Sequence, residues 1–100
     1  MPVIYHIATA GDWKKAQESG NYIHASLKDE GFIHCSLEEQ IAGVLERYFA
    51  GMKDLVKLTI DTDKLHSKYV FDWSPSTADT YPHVYGPINV DAVTATERIR

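Results

Sequence analysis

His6, His34 and His83 are the side chains of this sequence best suited to chemistry. Imidazole alone has an unperturbed pKa near neutrality, and it both donates and accepts hydrogen bonds. His6 lies in Ile4-Tyr5-His6-Ile7-Ala8 and His34 in Phe32-Ile33-His34-Cys35-Ser36, two apolar stretches of strand character. A lone histidine among apolar neighbours is most simply a hydrogen-bonded core residue. Two on separate strands weigh equally for a ligand site, with His6 and His34 as its catalytic candidates. Ser36, His83 and Tyr85 are the accompanying candidates for ligand binding. Tyr85, beside Gly86, presents either a stacking face to a ligand or an aromatic that fixes a tight loop. His24 and His66 sit in polar surroundings and are expected at the surface.

Other reactive groups have plainer readings. Cys35 alternates away from His34 on a strand, which disfavours a nucleophilic pair and makes it a small core hydrophobe. Ser36 and Glu39 have the spacing of a capping box, and no G-x-S-x-G elbow surrounds the serine. No pair of histidines has a known local metal-ligand spacing and no carboxylate accompanies them at short range, so no metal is expected. Glycine-rich phosphate cradles are absent as well.

The elements that must position these groups follow from periodicity. Residues 3–8 alternate as a strand with Ile4, His6 and Ala8 on one face. Asp12 is predicted to cap a helix over 13–19 that Gly20 stops. Residues 22–30 read as a loop or short strand, and 32–36 as a buried strand with Phe32, His34 and Ser36 on one side. The second main helix should open at Ser36, carry the apolar residues Ile41, Val44, Leu45, Tyr48 and Phe49 at i, i+3, i+4, i+7 and i+8, and end at Gly51. His34 would then stand just before a helix N-terminus, where an anion is favoured. Strands are predicted over 55–61, 69–73 and 92–98, with a turn at 61–65 and a polar loop at 75–81. Residues 82–88 look too broken by proline and glycine for a regular element.

The 100 residues form one expected α+β domain, 1–100, with enough apolar residues for one core. The net charge is −4 and the basic residues are scattered, which disfavours nucleic acid and favours a small, locally read ligand. The start of the chain has no basic and apolar leader pattern, no run of about eighteen apolar residues occurs, and Cys35 is the only cysteine. These features predict a cytoplasmic protein that neither enters a membrane nor carries an internal disulfide. Oligomeric state is left open.

The segments Ile4-Tyr5-His6-Ile7-Ala8, Gly31-Phe32-Ile33-His34-Cys35-Ser36 and Tyr81-Pro82-His83-Val84-Tyr85-Gly86-Pro87-Ile88 resemble the signature of the bacterial domain of unknown function 952 family. The first two are also similar to the NAD-dependent RNA 2′-phosphotransferases, with His6 and His34 matching their two histidines and Ser36 the serine that follows. That resemblance implies an ADP-ribosyltransferase-like fold, a curved split antiparallel sheet with two main helices. It also implies a cleft for NAD or a related nucleotide, in which His6 would hydrogen-bond a ribose and Tyr85 would stack on a ring. Arg47, Arg98 and Arg100 lie apart from the histidine motifs, so transfer of an RNA 2′-phosphate is not expected. Glu97 is the one late glutamate, and Asp72 the acid nearest Ser74, where family members carry an acid, so protein ADP-ribosylation is disfavoured too. The function expected is an NAD- or nucleotide-binding transferase of this group, and the alternative is a non-catalytic binding or interaction domain on the same scaffold.

Overall fold

The computed structural model describes residues 3–100; Met1 and Pro2, the start of the segment read as lacking a leader, lie outside the described residues. In chain order the elements are β1 (Val3–Thr9), α1 (Ala10–Ser19), β2 (Asn21–Tyr22), α2 (Ala25–Asp29), β3 (Ile33–His34) and α3 (Ile41–Tyr48). β4 (Leu55–Asp61), β5 (Tyr69–Ser74), β6 (Asp79–Val84), β7 (Ile88–Asn89) and β8 (Val93–Arg98) follow. Single 3-10 turns occupy Glu38–Gln40 and Val90–Ala92. The strands form three antiparallel sheets, ordered β1-β4-β8, β2-β7 and β3-β6-β5. This is a small α+β domain built from antiparallel sheets and few helices.

Alternation decides the first sheet. Ile4, His6 and Ala8 of β1 and Val56, Leu58 and Ile60 of β4 are buried, while Lys57 and Thr59 are half-buried on the other face. Ile33, Val84, Ile88, Tyr22 and Ala92 complete the core from the other two sheets and the last 3-10 turn. At the far end of α1, Gly20 takes the left-handed conformation (φ 91°) that a side chain would resist.

Four local expectations are corrected. Helix α1 starts at Ala10, because the Thr9 Oγ1 at the end of β1 accepts the Asp12 N–H (3.2 Å); Asp12 is inside the first turn and not its cap. Residues 25–29 form a helix in place of a loop, with the His24 imidazole accepting the Ser26 N–H (3.1 Å), a cap outside the usual set of small polar residues. The expected strand over 32–36 is a regular strand against β6 only at Ile33 and His34, since after Cys35 the chain crosses to β1 at Ser36: its N–H donates to the Tyr5 carbonyl (2.7 Å) and its carbonyl accepts from Tyr5 (2.8 Å).

Ser36 therefore opens no capping box. The turn that follows is held by Gln40, whose Oε1 accepts the Leu37 N–H (2.9 Å) while its Nε2 donates to the Thr80 carbonyl (2.8 Å) and to Asp79 (3.0 Å). The α-helix begins only at Ile41, so no helix N-terminus stands beside His34. The fourth correction concerns β6, which runs through the residues read as loop and broken segment and is the central strand of its sheet. Pro82 sits opposite Cys35, just past the last paired residue of β3, and its carbonyl accepts the Cys35 N–H (2.9 Å).

Among the described residues no helix is long and apolar enough to cross a membrane. Leu58 is fully buried in the middle of β4, between His6 of β1 and Thr96 of β8. Leu58→Ala is expected to cost about 2–5 kcal/mol in urea denaturation, and a loss below about 1 kcal/mol would contradict its place in the core.

Candidate functional site

The three sheets meet at His6. Its ring is 5 % exposed, and its Nδ1 donates to the His34 carbonyl (2.5 Å) while its Nε2 accepts from the Tyr22 hydroxyl (2.8 Å). A carbonyl only accepts, so the proton is on Nδ1, and the tyrosine must supply the second bond. His6 is thereby tied to β3 and β2 from its own strand β1. Burial holds its pKa down at about 4, against a smaller opposing effect of the His34 carbonyl. Burial also raises the Tyr22 hydroxyl well above its ordinary value, which keeps it a donor.

Beside this joint lies a cavity of about 560 Å³. His6, His34, Ser36 and His83 all line it, and so does His24, whose ring meets His6 edge-on at 5.7 Å. Tyr5, Tyr48, Phe49, Trp73 and Tyr81 supply aromatic wall, with Trp73 and Tyr48 largely exposed. Glu30 adds a carboxylate. Arg47 reaches the wall from α3 through a bond to the Tyr81 hydroxyl (3.0 Å).

Register explains the clustering. His34 lies opposite His83 across β3 and β6, and Asp72 lies opposite Tyr81 across β5 and β6, so the four project from one face. The His34 and His83 rings are 5.1 Å apart edge to face, and Phe32 stacks on His83 at 4.1 Å. Each imidazole has a carboxylate: His34 Nε2 to Glu30 (2.8 Å), and His83 Nδ1 to Asp72 (2.8 Å). The first pair is about half exposed, whereas the His83 side chain is 12 % exposed. The Tyr85 hydroxyl donates to the same Asp72 oxygen (2.5 Å). That bond first, and His83 second, holds the Asp72 carboxyl below the usual carboxylate range, while Asp72 raises the Tyr85 hydroxyl.

The predicted set is thus largely brought together. Phe32 and His34 share a face as their alternation implied, and Cys35 is buried in the core with its thiol pKa pushed up by burial. The structure gives two of the predicted residues partners of their own. Tyr85 is not among the residues that line the cavity, and its hydroxyl donates to Asp72. His6 has both nitrogens engaged within the protein, so its ribose contact is not available in this arrangement. His24 was expected at the surface and instead lines the cavity, while His66 is exposed. Glu30 escaped the sequence reading although it stands four residues before His34, because residues 22–30 were read as loop or strand and not as a helix that brings the two together; Tyr22 and the walls from α3, β5 and β6 arrive through packing between distant segments. Among the described residues, no three His, Cys, Asp or Glu side chains are arranged to hold a metal ion.

The fold is that of a small α+β domain with an aromatic-walled cavity between its sheets. Residues 7–96 match the family described as protein of unknown function (DUF952), and the chain belongs to that family. It is similar to the crystal structure of protein CC0527 from Caulobacter crescentus, with a TM-score of 0.86 and 29% identity, covering 96% of this chain and 84% of that one. The solution NMR structure of CC0527 gives a TM-score of 0.83 at 29% identity over 99% of this chain and 85% of that one. No curated protein matches the chain.

The His6 joint makes stability acid-sensitive. Its folded pKa of about 4 lies below the unfolded 6.5, so the unfolded chain takes up the proton first as pH falls. The contribution is complete above the unfolded value and is lost towards the folded one. Urea denaturation is expected to show about 2 kcal/mol less stability at about pH 5 than at about pH 8; equal stability at the two would contradict a buried neutral His6.

Proposed function

We propose that the cavity binds NAD or a related nucleotide through its nicotinamide riboside end, as a transferase of the ADP-ribosyltransferase-like group. The observation that carries this reading is the convergence of His34, His83 and Ser36 on one aromatic-walled cavity that also holds Glu30. Its volume of about 560 Å³ suits a small organic ligand. A positively charged pyridinium ring gains from the exposed Trp73 ring and from the Glu30 carboxylate; the Tyr5 and Tyr48 rings already carry Lys57 and Arg47. Arg47, bonded to Tyr81, is positioned for a phosphate outside the pocket. The antiparallel sheets, split at the Tyr5 and Ser36 bridge, and the two histidine motifs support the fold assignment.

In this reading His6 is a support: it fixes the His34 backbone by accepting no role beyond its two internal bonds. That same observation favours the second reading, a domain that binds the ligand without turning it over. Isothermal calorimetry separates the possibilities. NAD is expected to bind at least about 5-fold more tightly than NADH, whose ring has lost the positive charge, and Trp73→Ala to weaken NAD by about 1 kcal/mol or more. No heat with millimolar NAD, ADP-ribose or nicotinamide riboside would overturn the binding reading. Binding without release of nicotinamide would favour the non-catalytic one.

A further inference from the structure

One imidazole in the cavity is arranged differently from the others. His83 Nδ1 meets Asp72 Oδ2 at 2.8 Å, and an ionised carboxylate only accepts, so the proton is on Nδ1 and the lone pair on Nε2. Nε2 has no protein partner among the described residues, and His83 is part of the cavity wall. Phe32, stacked at 14° and 4.1 Å, holds the ring plane, and the Tyr85 hydroxyl fixes the Asp72 oxygen from the other side (2.5 Å). His6 has no free nitrogen, and His34 pairs with Glu30 where both are about half exposed. The sheltered, doubly oriented lone pair is the one on His83.

We propose that His83 is the general base of the cavity, that Asp72 and Tyr85 are its positioning residues, and that the acceptor is a hydroxyl group, of water or an alcohol. This rests on the reading of the cavity as an NAD site. The acceptor oxygen forms a bond to the anomeric carbon of the nicotinamide ribose, and the bond from that carbon to the pyridinium nitrogen breaks with its electron pair. Nicotinamide leaves neutral, the hydroxyl proton passes to His83 Nε2, and solvent then removes it. Asp72 stabilises the imidazolium that forms, as an acid behind a catalytic histidine does. Tyr85, outside the cavity, acts through Asp72 alone.

Two measurements test this. Nitrogen-15 NMR of the wild-type ring at alkaline pH is expected to show His83 protonated on Nδ1. Asp72→Asn, whose amide can donate to Nδ1, is expected to move the proton to Nε2, and Tyr85→Phe to produce a mixture of the two forms. His83→Gln is expected to lower nicotinamide release from NAD about a hundredfold or more while NAD affinity stays within about 3-fold. A wild-type ring protonated on Nε2, or release unchanged in His83→Gln, overturns the proposal. Wild-type protein that binds NAD but releases no nicotinamide overturns it too and leaves the NAD site standing, whereas no binding of NAD removes both.

Discussion

The bond network of a single buried side chain joins the three sheets of this domain. His6 sits on β1, donates to the backbone of β3 and accepts from Tyr22 of β2. The Tyr5 and Ser36 backbone bridge runs beside it. Two-residue strands such as β2 and β3 have too few ladder bonds to hold themselves. A neutral imidazole solves the problem because one nitrogen donates and the other accepts, so two buried partners of opposite kind are satisfied at once. Protonation would put two donors where one acceptor is needed, which is why burial and the pKa of about 4 belong together.

The cavity follows from that junction. Beside the Tyr5 and Ser36 bridge that joins the β1 sheet to β3, the end of α3 and the end of β5 with the loop after it line the cavity with Tyr48, Phe49, Trp73 and Pro75. Gln40 pins the entry to α3 onto β6 by bonding Thr80 and Asp79, which fixes that wall relative to His83. The histidines inside are each oriented by a partner: His6 by Tyr22, His24 by Ser26, His34 by Glu30, His83 by Asp72. Such buttressing holds ring planes and tautomers without help from a ligand.

What could be read locally was read well where one period dominated. The alternation of β1 and β4, the Gly20 stop and the facing of Phe32 with His34 all appear as the residues imply. Failures occurred where a tertiary bond competed with a local one. Ser36 had a capping partner within reach and spent its backbone on Tyr5 instead. Proline and glycine around His83 signalled a broken segment, yet Pro82 keeps its carbonyl bond to Cys35 and the strand pairs on both sides. Thr9 displaced Asp12 as a cap because β1 runs directly into α1, which puts the Thr9 hydroxyl over the Asp12 N–H.

The sequence by itself determined the family, the α+β class, the strands that bear His6 and His34, and the burial of Cys35, because these depend on motifs and on neighbours a few residues apart. Only the tertiary structure decided that His34, His83 and Asp72 share one face, that His24 and Glu30 join them, and that Tyr85 stands behind the site. Those relations depend on strand register between residues up to about fifty positions apart, and register is set by how the whole core packs.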